Sequence, residues 1–285
     1  MSSEVLDRFV EQSPVSVMFR GTFETVITPK LLDEMFADTA KRQRCGELLF
    51  SSLVDLLGLV ATGARKSVND AYRAKKEQFS VSVTAVYEKL QGVETEVSRQ
   101  TVRQTASQMA EVVKRLDAAR QPLLRGHRVK IIENAFQELG QALHSEIKTL
   151  GYPKAALFSF CVTILAYNVI SVVKTALTAV HGEKAERHSL SGYYLAAELG
   201  AACHGMAIAV PERQWKRHFA SLTPAQLARV LKTIAAKVRP DRFRKNTRGP
   251  KKPPLKRSSA KRHPHVSTAR IPAQRKAGKV HAVKA

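Results

Sequence analysis

The residues best suited to chemistry in this sequence are cations, and their spacing decides what they can do. From Arg239 onward, 16 basic residues stand against one acid, Asp241, with almost no aromatics among them. Arg242, Arg244, Lys245, Arg248, Lys251, Lys252, Lys256 and Arg257 form the densest run. Guanidinium and ammonium groups at this density neutralise phosphates, but without rings to stack on bases they read no sequence. Binding through them should be salt-sensitive and non-specific, and the fitting polyanion is DNA. A smaller set, Arg99, Gln100 and Arg103, stands near the start of a predicted helix that follows Gly92. There, Arg and Gln can reach base edges in a major groove, as in a helix-turn-helix. The turn is longer than that motif favours, and an ordinary helical hairpin fits the same pattern.

Other arrangements fail on inspection. The stretch from Gly58 to Ser67 has the glycines of a phosphate loop, yet Ala64 and Arg65 stand where Lys and Ser/Thr belong. His263 and His265 are two ligands without a third. Cys45, Cys161 and Cys203 are odd in number and widely spaced, which argues against a disulfide framework or a zinc site and suits a reducing cytoplasm. Acids near the N-terminus replace the basic stub of a signal peptide.

The elements that must position these residues read as mostly helical. The chain has 285 residues, 44% of them hydrophobic, enough for a buried core. Thr28-Pro29 opens a helix over 30–40, and Cys45 to Leu59 has core-helix spacing through Leu48, Leu49, Leu53, Leu56 and Leu57. Ser67 caps a short helix through Tyr72 and Lys76. Two more run over 83–90 and 96–119, the second with an apolar stripe at Val97, Val102, Met109, Val112, Val113 and Leu116.

After Pro122, the alternation Arg128-Val129-Lys130-Ile131 is the best strand signal in the chain. Directly behind it, with no turn residue, 133–150 reads as an amphipathic helix through Phe136, Leu139, Leu143 and Ile147. A strand running into a helix without a loop is poor local grammar. Between Lys154 and Lys174 there are 19 residues without a charge, close to a membrane span in length. Polar residues recur through them, so a buried helix is the preferred reading and a membrane-anchored protein the third-ranked one. Short helices are predicted from Ser191 and Pro211, and a last one from Thr223-Pro224 to Val238. Past Arg239 the segment should be disordered by itself.

Several stretches together resemble bacterial insertion-sequence transposases of the DDE class, in the insertion sequence four group. They are Arg44 to Leu57, Lys66 to Tyr72, Ile132 to Leu139, Gly151 to Phe158, Ala166 to Lys174 and Gly249 to Pro254. The resemblance implies an RNase H-like fold on which two aspartates and a glutamate hold two divalent ions, usually Mg²⁺. Those ions would drive DNA cleavage and strand transfer. Glu133 matches the family glutamate. The aspartate-bearing runs have no counterpart, and no acid lies between Asp117 and Glu133.

The seam at Ile131–Ile132 therefore reads as an internal deletion that joins the first catalytic strand to the glutamate helix. Glu133 stands alone, and one carboxylate cannot bridge two metals, so no Mg²⁺ site is expected to function. Glu138 and Glu146 on its own helix, and Asp117 before it, are poorly spaced to replace the missing pair.

The expected architecture is mainly α: a helical DNA-binding region at 1–121, a remnant of an RNase H-like α/β core at 122–238 and a disordered basic tail at 239–285. Expected partners are transposon ends and non-specific duplex DNA, with a second copy or an intact transposase also possible, and no membrane. The expected place is the bacterial cytoplasm, on the nucleoid. Loss of the sheet should leave Phe158, Phe160, Ile164 and Leu165 uncovered. The alternative is an active Mg²⁺-dependent transposase with unorthodox carboxylates.

Overall fold

The computed structural model describes residues 4–43, 46–117, 143, 150–182 and 190–245. Among these residues the chain is mainly α, and no strand forms beyond one isolated bridge between Leu190 and Arg244. The predicted strand at 128–131, Glu133 and its helix lie outside the described residues, except that Leu143 and Leu150 are both buried.

Helix α1 spans Glu4–Gln12, α2 Pro14–Val26 and α3 Pro29–Thr39. Proline suits the first turn of α2 and α3 because its missing N–H would have had no partner there. The Thr28 hydroxyl caps α3 by accepting from Leu31 N–H at 3.2 Å.

Helix α4 begins at Phe50 and runs to Ala61, later than the sequence pattern suggests. Its cap comes from another helix. The Asp33 carboxylate of α3 accepts from the Ser51 N–H at 2.9 Å and its hydroxyl at 2.8 Å. Leu49 thus falls outside the helix and is 44% exposed, while Leu48 is buried. Helix α5, Val68–Ala74, is capped by Ser67 as expected.

Helices α6 (Val83–Gly92) and α7 (Thr95–Leu116) follow. The inner face of α7 is less apolar than its predicted stripe. Ser98, Thr101 and Thr105 are buried on it, while Val102 and Val113 are only half-buried. Hydroxyls are tolerated there because they return to carbonyls one turn back: Thr101 to Val97 O at 2.8 Å and Thr105 to Thr101 O at 2.6 Å.

Helix α8 is Pro153–His181, and its 29 residues extend about 43 Å. By length and composition it could cross a membrane, but 61% of its most apolar window is buried within the protein. Helices α2, α4, α6 and α7 pack around it, and so does the later helix Pro224–Ala235. The expectation that loss of a sheet uncovers this helix is therefore corrected. Phe158 and Leu165 are fully buried, and Phe160 and Ile164 pack half-buried against the core. Helices from the N-terminal part of the chain, together with the helix Pro224–Ala235, supply the cover.

Helix α9 is Gly192–Ala209, longer than the short helix its sequence suggests. Helix α10, Glu212–Trp215, runs into a π-turn at Lys216–Ala220 that packs on α2. A Cβ on Gly21 would lie 2.3 Å from the Phe219 ring, so glycine permits this approach. The Thr25 hydroxyl also reaches Phe219 O at 2.9 Å. Helix α11, Pro224–Ala235, starts with a capping box between Thr223 and Gln226.

One core runs from Leu6 to Phe243. The expected division at 121/122 does not separate two packing units, because α7 before it and α8 after it pack along each other. The body also extends past 238. Pro240–Phe243 form a 3₁₀ turn with Phe243 buried, and Ser191 N–H donates to Phe243 O at 2.7 Å. The compact unit runs to Lys245, and residues 246–285 lie outside the described residues.

One buried acid gives a pH prediction. Glu24 of α2 pairs with Arg20 at 3.0 Å, yet burial raises its carboxyl above the usual 4.5. A carboxyl with a raised folded value holds a proton that the unfolded chain has lost, so stability falls as pH rises through about 4.5 towards that value. In Glu24→Gln that fall should shrink, which urea midpoints measured from pH 4 to 7 will test.

Candidate nucleic-acid interface

The α6–α7 turn is built from two residues, Val93 and Glu94, and it is fixed from outside. The Glu94 carboxylate accepts the backbone N–H groups of Lys41 and Arg42, both at 2.8 Å. The Arg42 N–H in particular holds that carboxyl below the usual carboxylate range. Gln43 Nε2 donates to Lys89 O at 2.9 Å, passing so close to Gly92 that a Cβ there would sit 2.1 Å from it. Helix α6 packs on α8, and α7 lies along α8, α3 and α11.

On α7 the three candidate readers have different surroundings. Arg99 is exposed and pairs with Glu96 at 3.0 Å, one turn away. Gln100 is half-buried and donates to the same Glu96 at 3.0 Å. Arg103 is exposed, and among the described residues no carboxylate pairs with it. Exposed intrahelical pairs are worth only a few tenths of a kcal/mol, so a phosphate could displace Glu96 from Arg99 at little cost. The outward face continues through Gln104, Lys114 and Arg115.

The C-terminal candidates divide at Lys245. Arg242, Arg244 and Lys245 are exposed at the edge of the body, held there by the buried Phe243 between them. Arg244 pairs with Asp241 at 3.2 Å. Arg248, Lys251, Lys252, Lys256 and Arg257 lie outside the described residues, as does Glu133.

Sequence reasoning passed over α11, the neighbour of α7. It carries Arg229 and Lys232 and no acid, and that imbalance was available in the sequence. Asp117 ends α7 in a left-handed conformation at φ 47°, exposed. Among the described residues no three His, Cys, Asp or Glu side chains stand together as metal ligands would. Burial raises the thiol of Cys161 and pushes that of Cys203 up to about 12, so both are protonated at neutral pH.

Comparisons with protein-family models, with curated proteins and with solved structures find no match to this chain.

Proposed function

We propose that this chain is a DNA-binding remnant of an insertion-sequence transposase of the DDE class, without strand-transfer activity. The observation that carries the reading is the seam. Stretches resembling the insertion sequence four group stand on both sides of Ile131–Ile132, and no carboxylate lies between Asp117 and Glu133. A two-metal site needs several converging carboxylates, and the residues present do not fit one.

The exposed cations support the DNA half of the reading. Arg99 and Arg103 on α7, Arg229 on α11, and Arg242, Arg244 and Lys245 at the body's edge are available to phosphates. The region before residue 122 would supply preference for transposon ends, and the basic residues after 245 would supply sequence-independent grip. The reading places the protein on the nucleoid of a bacterial cytoplasm, with a second copy or an intact transposase as protein partners.

The test uses a duplex carrying the inverted repeat that flanks the gene and a scrambled duplex of equal length. The full chain should bind both, favour the repeat, and lose that preference in Arg103→Ala. It should nick neither in Mg²⁺. Mg²⁺-dependent nicking abolished by Glu133→Gln would overturn the reading in favour of an active enzyme with unorthodox carboxylates.

A further inference from the structure

A hollow of about 200 Å³ opens between α2, α4, α8, α9 and α10, and none of the residues assigned to DNA lines it. Its inner wall is apolar: Phe19, Phe23, Leu59, Val162, Met206 and Trp215. Four small residues on three helices create the space, namely Gly58, Ala166, Cys203 and Ala207. At Gly58 the protein's own packing does not demand glycine, since a Cβ there would meet nothing nearer than the Phe23 ring at 3.8 Å. The hollow is therefore room left open beside the helix rather than a gap forced by a close crossing.

A polar cleft of about 130 Å³ continues it, sharing Arg20, Phe23, Asp55, Lys75, Gln78 and Glu212. Its charges are already matched. Arg20 pairs with Glu24 at 3.0 Å, Lys75 with Asp55, and Lys216 with Glu212 at 3.3 Å. A charged guest would have to break the Arg20–Glu24 or the Lys75–Asp55 pair and leave its partner uncompensated in a partly buried site, which is costly. An uncharged guest leaves them intact and gains from the apolar wall. The size matches one to two rings, since cavities near 150 Å³ already hold benzene.

We infer that this hollow is a binding site for a small, uncharged, largely apolar molecule of about two rings, with its more polar end at the Asp55–Lys75 pair. Trp215, the single tryptophan of the chain, lies in its wall and reports on it directly.

The test is titration of the full chain, in 0.5 M salt, with 1-naphthylamine, which has two rings and is neutral at pH 7. Naphthalene-1-sulfonate has the same ring system and a negative charge. The neutral probe should bind saturably, one per chain, quench Trp215 by energy transfer, and bind at least tenfold tighter than the sulfonate. Gly58→Leu fills the hollow from α4, and Ala207→Phe fills it from an exposed position on α9. Each should weaken the neutral probe at least tenfold while keeping the wild-type far-UV circular dichroism. Lack of saturable binding overturns the inference. So does equal or tighter binding of the sulfonate, or neutral-probe binding unchanged in both folded variants.

Discussion

Phe158→Ala should lower the unfolding free energy of the whole body by about 3–5 kcal/mol. The ring is fully buried at the start of α8, 5.2 Å from that of Phe50 in α4. Phe50 in turn stacks on Phe36 of α3 at 4.8 Å. Truncation removes both the transfer energy of the ring and its contact with Phe50, and it leaves a cavity among three helices that cannot all move inward. Against a typical total of about 5–15 kcal/mol, the loss is a large fraction.

The same variant tests whether the two sides of the seam fold as one body. Phe36 and Phe50 come from before residue 117 and Phe158 from after 150, so damage at Phe158 must be felt on both sides. Urea unfolding followed by Trp215 emission and by far-UV circular dichroism should give one transition, shifted equally by the substitution. Two separable transitions, only one of them shifted, would sink the single-body description.

Much of this body was legible in the sequence because helix signals are local. Thr28-Pro29, Ser67 and Thr223-Pro224 each mark a cap whose hydrogen bond depends only on the next three residues. What escaped was decided at a distance. The start of α4 is set by Asp33 on another helix, and the polar inner face of α7 is allowed by hydroxyl-to-carbonyl bonds that hydrophobic periodicity does not count. The polar residues in the apolar run of α8, Ser159, Thr163, Asn168 and Ser171, pointed to a buried helix but not to which helices cover it. Membership in the body beyond 238 had only one mark, Phe243, an isolated ring among cations. Of the candidate interface, residue types and the helix were readable. The pairing of Arg99 and Gln100 with one glutamate required side-chain geometry.

Raising salt from 50 to 200 mM should weaken duplex binding by the full chain about 500-fold. Contact with about five phosphates gives a slope of about −4.5 in log K against log salt, and a fourfold rise in salt then carries that factor. The number is large because each phosphate contact releases a condensed counterion, and the residues after 245 supply 12 of the chain's cations. A chain ending at Lys245 separates their share from that of the body. It keeps Phe243 docked at the start of α9 and loses nothing from the described core, so its thermal midpoint should match that of the full chain. It also keeps Arg99, Arg103, Arg242 and Arg244, which should retain any preference for the inverted repeat. Its salt slope should fall to less than half. An unchanged slope would mean that the cations beyond Lys245 serve solubility and that the exposed faces of α7 and α11 carry the phosphate contacts. A lost preference with an unchanged slope would reverse the division of labour, because base reading would then depend on the segment that has almost no rings to stack on bases.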